Sequence, residues 1–166
     1  MCKARGVDFG RLTEEGRERF VDHILHESVK VKAVFNTHYT DFRLFWRGSP
    51  YRCLLAAQAG LVDVYVSPPI LTELVRVLQV KFQLPLEQID EVVAVVRGAA
   101  SVVEITGTVR VVSDDPSDDK FVETAQVAGV DYLVSGDHLL TCHAMGEVRV
   151  VTARMFLDIL SPQLSQ

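Results

Sequence analysis

Two rhythms of apolar and polar positions alternate along the chain. Short, nearly unbroken apolar runs occur at 31–35, 61–66, 102–105, 131–135 and 148–151. Runs of this length read as strands covered on both faces. Between them, apolar residues recur at helical spacing. Ser67-Pro68-Pro69 opens one helix, with the serine as its cap. Leu71, Leu74, Val75, Leu78 and Phe82 form its apolar face, and Thr72, Arg76, Gln79 and Gln83 its polar face. Residues 86–97 give a second helix along Ile89, Val92, Val93 and Val96, and 53–59 a small-residue helix that Gly60 ends. Residues 109–112 read as a further extended piece. Asp115 then caps a helix whose first position is Pro116, since proline lacks an N–H that nothing there would use. Phe121, Val122, Ala125 and Ala128 carry its stripe, and Gly129 stops it. Thr152 caps a last helix bearing Phe156, Leu157 and Leu160.

Strands alternating with helices predict parallel crossovers and an α/β class fold: a three-layer α/β/α sandwich around a parallel, Rossmann-like sheet. Ligand sites in such sheets lie beyond the carboxyl ends of the strands. The predicted domain runs over 31–166. Residues 1–30 form a helical extension, with Thr13 as a cap and an apolar stripe of Leu12, Phe20, Val21, Ile24 and Leu25. That stripe either docks on the domain or meets a partner.

Composition narrows the class. The chain has 166 residues, 48% hydrophobic and 23% charged, enough for one full core. No apolar run approaches the roughly 20 residues of a membrane span. The N-terminal stretch lacks the apolar core of a secretion signal. Cys2, Cys53 and Cys142 are an odd, scattered set, which suits a reduced cytoplasmic protein better than a disulfide framework. A net charge of −5 argues against a broad basic surface for nucleic acid. It leaves room for a nuclease whose acidic site is filled by metal.

Candidate chemistry sits on a few acids. Residues three, four and seven apart share a helix face. From Asp118 that face holds Phe121, Val122 and Ala125, so Asp118 is predicted to point at the sheet. Asp119 shares its face with Glu123 and Gln126, read as the wet side. A first turn enriched in acids to suit the helix dipole accounts for Asp114, Asp115 and Asp119, but poorly for Asp118. Glu73 lies in an apolar arc of Ile70, Val77 and Val80, although its head could reach water. Asn36 and Asp137 sit at predicted strand ends, so the topology gathers all four at one edge. Between 41 and 52, Phe42, Phe45 and Trp46 interleave with Arg43, Arg47 and Arg52. They read as a helix packing its aromatics on the core; the other reading is stacking on bases. His138, Cys142 and His143 lack a fourth ligand for zinc. No glycine-rich phosphate loop occurs.

These segments resemble the PIN domain, in particular its branch of toxin–antitoxin toxins. SPPILTELVRVL resembles that branch's SPxLLxEL helix and aligns Glu73 with its acid. DPSDDKFVETAQVAGVDYLVSGDHLL resembles its DPDDxxFLxxAxxxxADYLVTGDxxLL segment, and VRVVTARMFLDIL its closing strand and helix. Phe45-Trp46 through Gly48-Ser49-Pro50 resembles the segment after its first strand. The resemblance implies a metal-dependent endoribonuclease with about four carboxylates around Mg²⁺ or Mn²⁺, since hard cations take oxygen ligands. Glu73, Asp118 and Asp137 match as ligands, and Asp119 is the alternative to Asp118 where the doubled acid leaves the alignment ambiguous by one. It further implies an RNA substrate, a cognate antitoxin and pairing as a homodimer. The first strand departs from the pattern: Asn36-Thr37-His38 stands where the family has Asp-Thr-Asn. Asn36 can still offer an oxygen to the metal, but one negative charge is gone. At about 4 Å and an effective dielectric near 20, a pair of unit charges interacts by roughly 4 kcal/mol, partly offset by desolvation. The second expectation is therefore a degenerate PIN domain that binds RNA or a protein without cutting.

Overall fold

The computed structural model of the protein describes residues 13, 30–36, 48–112, 115–136 and 146–164. Val31–Gln166 forms one compact unit, apart from Met1–Lys30. The helix expected near the N-terminus, the segment 37–47, Asp137 and the group His138, Cys142 and His143 lie outside the described residues.

Within the unit the elements are β1 (Val31–Phe35), α1 (Ser49–Gln58), β2 (Val62–Val66), α2 (Pro68–Arg76), α3 (Leu86–Ala99), β3 (Ala100–Val102), α4 (Asp119–Ala128), β4 (Tyr132–Val134), β5 (Arg149–Val151) and α5 (Ala153–Leu164). The five strands lie in the order β3-β2-β1-β4-β5 and every neighbouring pair is parallel. The chain thus builds outward from β1 to one edge, then returns to the other side of β1 with β4 and β5. The reversal falls between β1 and β4, the place where open α/β sheets form their crevice.

Side-chain alternation in the strands gives the sheet two apolar faces. Val34 and Leu133 join Ile70, Leu71, Phe121, Val122 and Ala125 in one core, under α2 and α4. Their neighbours Ala33 and Val134 join Cys53, Ala56, Phe156, Leu157 and Leu160 in the other, under α1 and α5. Leu74, Leu78, Ile89 and Val92 make a smaller core where α2 meets α3. This is the three-layer α/β/α arrangement that the alternation predicts.

Several boundaries moved for identifiable reasons. β3 is Ala100–Val102 rather than 102–105, because β2 ends at Val66 and the ladder closes with Val103 N donating to Val66 O at 2.8 Å. Residues 109–112 join no strand. α2 widens into a π-helical turn at Val77–Lys81, and the chain leaves it through Gln83, whose φ of 51° lies in the left-handed region. Thr152 does cap α5, accepting from Met155 N at 3.2 Å. Gly129 ends α4 at a φ of 60°, where a side chain would be strained. Ser67 occupies the cap position of α2 but makes no capping bond, its hydroxyl being engaged elsewhere.

Cys53 is fully buried on α1, with Sγ 3.8 Å from the Ala153 carbonyl. Burial pushes its thiol up to about 12, against a smaller opposing pull from Arg52. The thiolate is the reactive form, so Cys53 should resist alkylation at pH 8 in the folded protein and react once urea unfolds it. Mass spectrometry of the labelled cysteines checks this; rapid native labelling of Cys53 would contradict it.

Candidate active site

The carboxyl edge of the sheet concentrates buried polar groups. Asn36, Ser67, Asp118, Thr124 and Ser135 are all at most 2% exposed. Most such groups in an interior are hydrogen-bonded. Asn36 follows β1 directly, and its main-chain N–H continues the ladder to Val134 O at 2.8 Å. Its Nδ2 donates to Ser135 Oγ at 3.0 Å, across the β1–β4 reversal. With the amide nitrogen turned to Ser135, the amide oxygen is the atom that would serve a cation.

The acids before α4 divide their work. Asp115 Oδ1 accepts from Ser117 N at 2.9 Å, capping a short 3-10 turn at Pro116–Asp118 that leads into α4. Asp118 is fully buried, as its angular position predicts. Asp119 is also buried, which corrects its placement on the wet side. Its Oδ1 accepts from Val111 N at 2.9 Å and from Val112 N at 2.8 Å. Glu123, expected to be wet as well, is only 4% exposed. Its Oε1 accepts from Thr106 N and Thr106 Oγ1 at 2.8 Å each and from Gly107 N at 3.0 Å. Val109 N is 3.5 Å from Oε2. The chain after β3 therefore runs along this flank of α4 and is tied to it by two carboxylates. Burial alone would raise the Glu123 pKa. The bonds from Thr106, Gly107 and Val109 outweigh it and hold the carboxyl below its ordinary range.

Glu73 is joined to the same corner. Its Oε2 lies 3.0 Å from Lys120 Nζ, with the two side chains 13% and 15% exposed. Lys120 Nζ also donates to the Ser117 carbonyl and sits 4.9 Å from the centre of the Phe121 ring. A second link lies beneath. Thr124 Oγ1 is 2.6 Å from Lys120 O and 2.8 Å from Ser67 Oγ. A carbonyl can only accept, so it takes the Thr124 proton and the Ser67 hydroxyl completes the other bond. This pins α4 to the end of β2.

The structure thus places Glu73 beside the turn that carries Asp118, and Asn36 beside the end of β4. Asp137 lies outside the described residues. Among the described residues, no three His, Cys, Asp or Glu side chains come together to hold a metal. The donor types of Asn36, Glu73 and Asp118 are all oxygen, which suits Mg²⁺ or Mn²⁺ rather than a softer metal. Lys120, Thr124 and Ser135 were not singled out from sequence, and Ser67 only as a helix cap. Lys120 had one signal: it is the cation that ends the acidic run from Asp114 to Asp119.

The parallel sheet thus carries Glu73, Asp118 and Asn36 on the side of its strands' carboxyl ends. The family model of the PIN domain matches residues 32–139, from β1 to beyond the end of β4. The chain belongs to the PIN domain family. PIN domains are generally nucleases acting on nucleic acid. No curated protein matches the chain. Among the described residues, no helix is long and apolar enough to cross a membrane.

Proposed function

We propose that this PIN domain is a Mg²⁺- or Mn²⁺-dependent endoribonuclease of the cytoplasm and the toxin of a toxin–antitoxin pair. The observation that carries the reading is the corner formed by Glu73 and the Asp118 turn, on helices that follow β2 and precede β4. Glu73, Asp118 and Asp137 would hold the metal, with Asn36 as a neutral oxygen ligand. When bound, the ion supplies an activated water and neutralises charge on the phosphoryl group.

The chain's own residues fix where those ligands stand. Asp115 and Asp119 hold both sides of the turn that carries Asp118. The Ser67–Thr124 bond keeps α4, and so Asp118, at a set height above β2. Ser135 holds the Asn36 amide in one orientation. Asp119 serves this scaffold, so we assign the ligand role to Asp118. Residues 1–30 are an extension to the domain at 31–166. The antitoxin and a second copy of the chain are the partners that go with the toxin reading.

RNA cleavage with Mn²⁺ tests the proposal. Losing a group that merely supports a ligand costs roughly 10–100-fold. Asp118→Asn removes the ligand charge itself, and should lower cleavage by on the order of 100-fold or more while the fold persists. Expression of the wild type should arrest growth, and expression of Asp118→Asn should not. The second reading is a PIN domain that binds RNA or protein without cutting. It is favoured by the neutral Asn36 and by the ammonium on Glu73. Cleavage seen only in Asn36→Asp would establish it.

A further inference from the structure

Lys120 is placed where a cation gains least from its own helix. It is the second residue of α4. The amino end of a helix carries partial positive charge and disfavours an ammonium. Lysines so placed usually extend into water. This one folds back, only 15% exposed, against Glu73 Oε2, the Ser117 carbonyl and the Phe121 ring. Glu73 supplies the charge that holds it there. Glu73 is also a carboxylate that the proposed metal would use.

A divalent ion on that oxygen would share it with the ammonium, and the two cations would repel each other. A hard divalent ion binds a carboxylate oxygen at roughly 2.0–2.6 Å. The ammonium already stands 3.0 Å from the same Oε2. The two positive centres would be in near contact in a corner largely closed to water, where screening is weak. We propose that Lys120 is the built-in counter-cation of Glu73, which a divalent ion must displace in order to bind. The inference rests on the metal-dependent reading above. It makes the side chain of Lys120 a competitor of the metal. With Asn36 neutral, the ammonium cancels one of the few negative charges that the proposed ligands supply. Metal affinity is then lower than the acids alone would give. The apparent affinity falls in proportion to the fraction of molecules whose Glu73 is unpaired.

Direct Mn²⁺ binding to the full chain, read by electron paramagnetic resonance, tests this without any activity. Lys120→Met and Lys120→Gln should each bind Mn²⁺ about 10-fold more tightly than wild type. Unchanged or weaker binding in both, with wild-type melting curves, overturns the inference and leaves the nuclease reading standing. Absence of Mn²⁺ binding in wild type and variants alike overturns both. A second measurement needs no variant. In wild-type protein labelled at the lysine side chains, Mg²⁺ should shift the Lys120 ζ-nitrogen resonance in step with metal binding. Saturation with Mg²⁺ that leaves that resonance in place overturns the competition.

Discussion

Glu123→Ala is expected to lower the unfolding free energy by about 3 kcal/mol at pH 7, because hydrogen bonds to a charged group contribute roughly 1.5–3 kcal/mol each and several are lost together. The carboxylate gathers three main-chain N–H groups and one hydroxyl from Thr106, Gly107 and Val109. Thr106 and Gly107 are exposed, so water replaces part of what is lost and the sum stays below the full total. The sign with pH follows from the depressed pKa. A carboxyl lowered by folding stabilises the protein above its unfolded value, near 4.5. That contribution fades as pH falls through the lower folded value. Urea unfolding of wild type and Glu123→Ala at pH 7 and pH 3 should therefore show a wide gap that narrows in acid. A gap of equal size at both pH values would mean that the side chain's packing, not its charge, carries the effect.

Asn36→Asp should change sign with the metal. The residue is 2% exposed, so a bare carboxylate there is costly, and Asp118 is a second acid at the same edge. The Ser135 hydroxyl can turn to donate to the new oxygen, so the hydrogen bond survives in reversed sense. Without metal the variant should melt lower than wild type. With Mn²⁺ the added charge faces a divalent ion, where even a fraction of roughly 4 kcal/mol per unit charge pair gives more than tenfold in affinity. A ligand bound only to the folded state raises stability with concentration. The variant should therefore gain more from millimolar Mn²⁺ than wild type, and the melting order should cross. Parallel melting curves with and without Mn²⁺ would remove Asn36 from the list of metal ligands.

The parts of the fold that could be read in the sequence are those set by contact with the sheet. The boundaries of β1, the apolar faces of α2 and α4, the Asp115 and Thr152 caps and the left-handed Gly129 follow from local chemistry. The burial of Asp118 followed from helical angle alone. The same angle misplaced Asp119 and Glu123. Their flank of α4 is covered by the stretch from Thr106 to Val112, which has no periodic pattern to announce it. A helical face shows which residues meet the layer below, not what chain runs alongside. Ser67 failed as a cap for a related reason: its partner Thr124 is 57 residues away. Lys120 on Glu73 was hidden because the two stand on different helices, and the pattern of neither helix names a residue of the other.

The Asn36–Ser135 bond spans 99 positions of chain. β1 is the first strand made yet lies at the centre of the sheet, and one of its two neighbours in the sheet, β4, is not synthesised until the helices between them in sequence have been made. The corner between them is therefore finished late in translation. A nascent chain carrying only the first half of the domain has the β1 side of this crevice but not the β4 side, and any cutting power the protein has arrives with its last third.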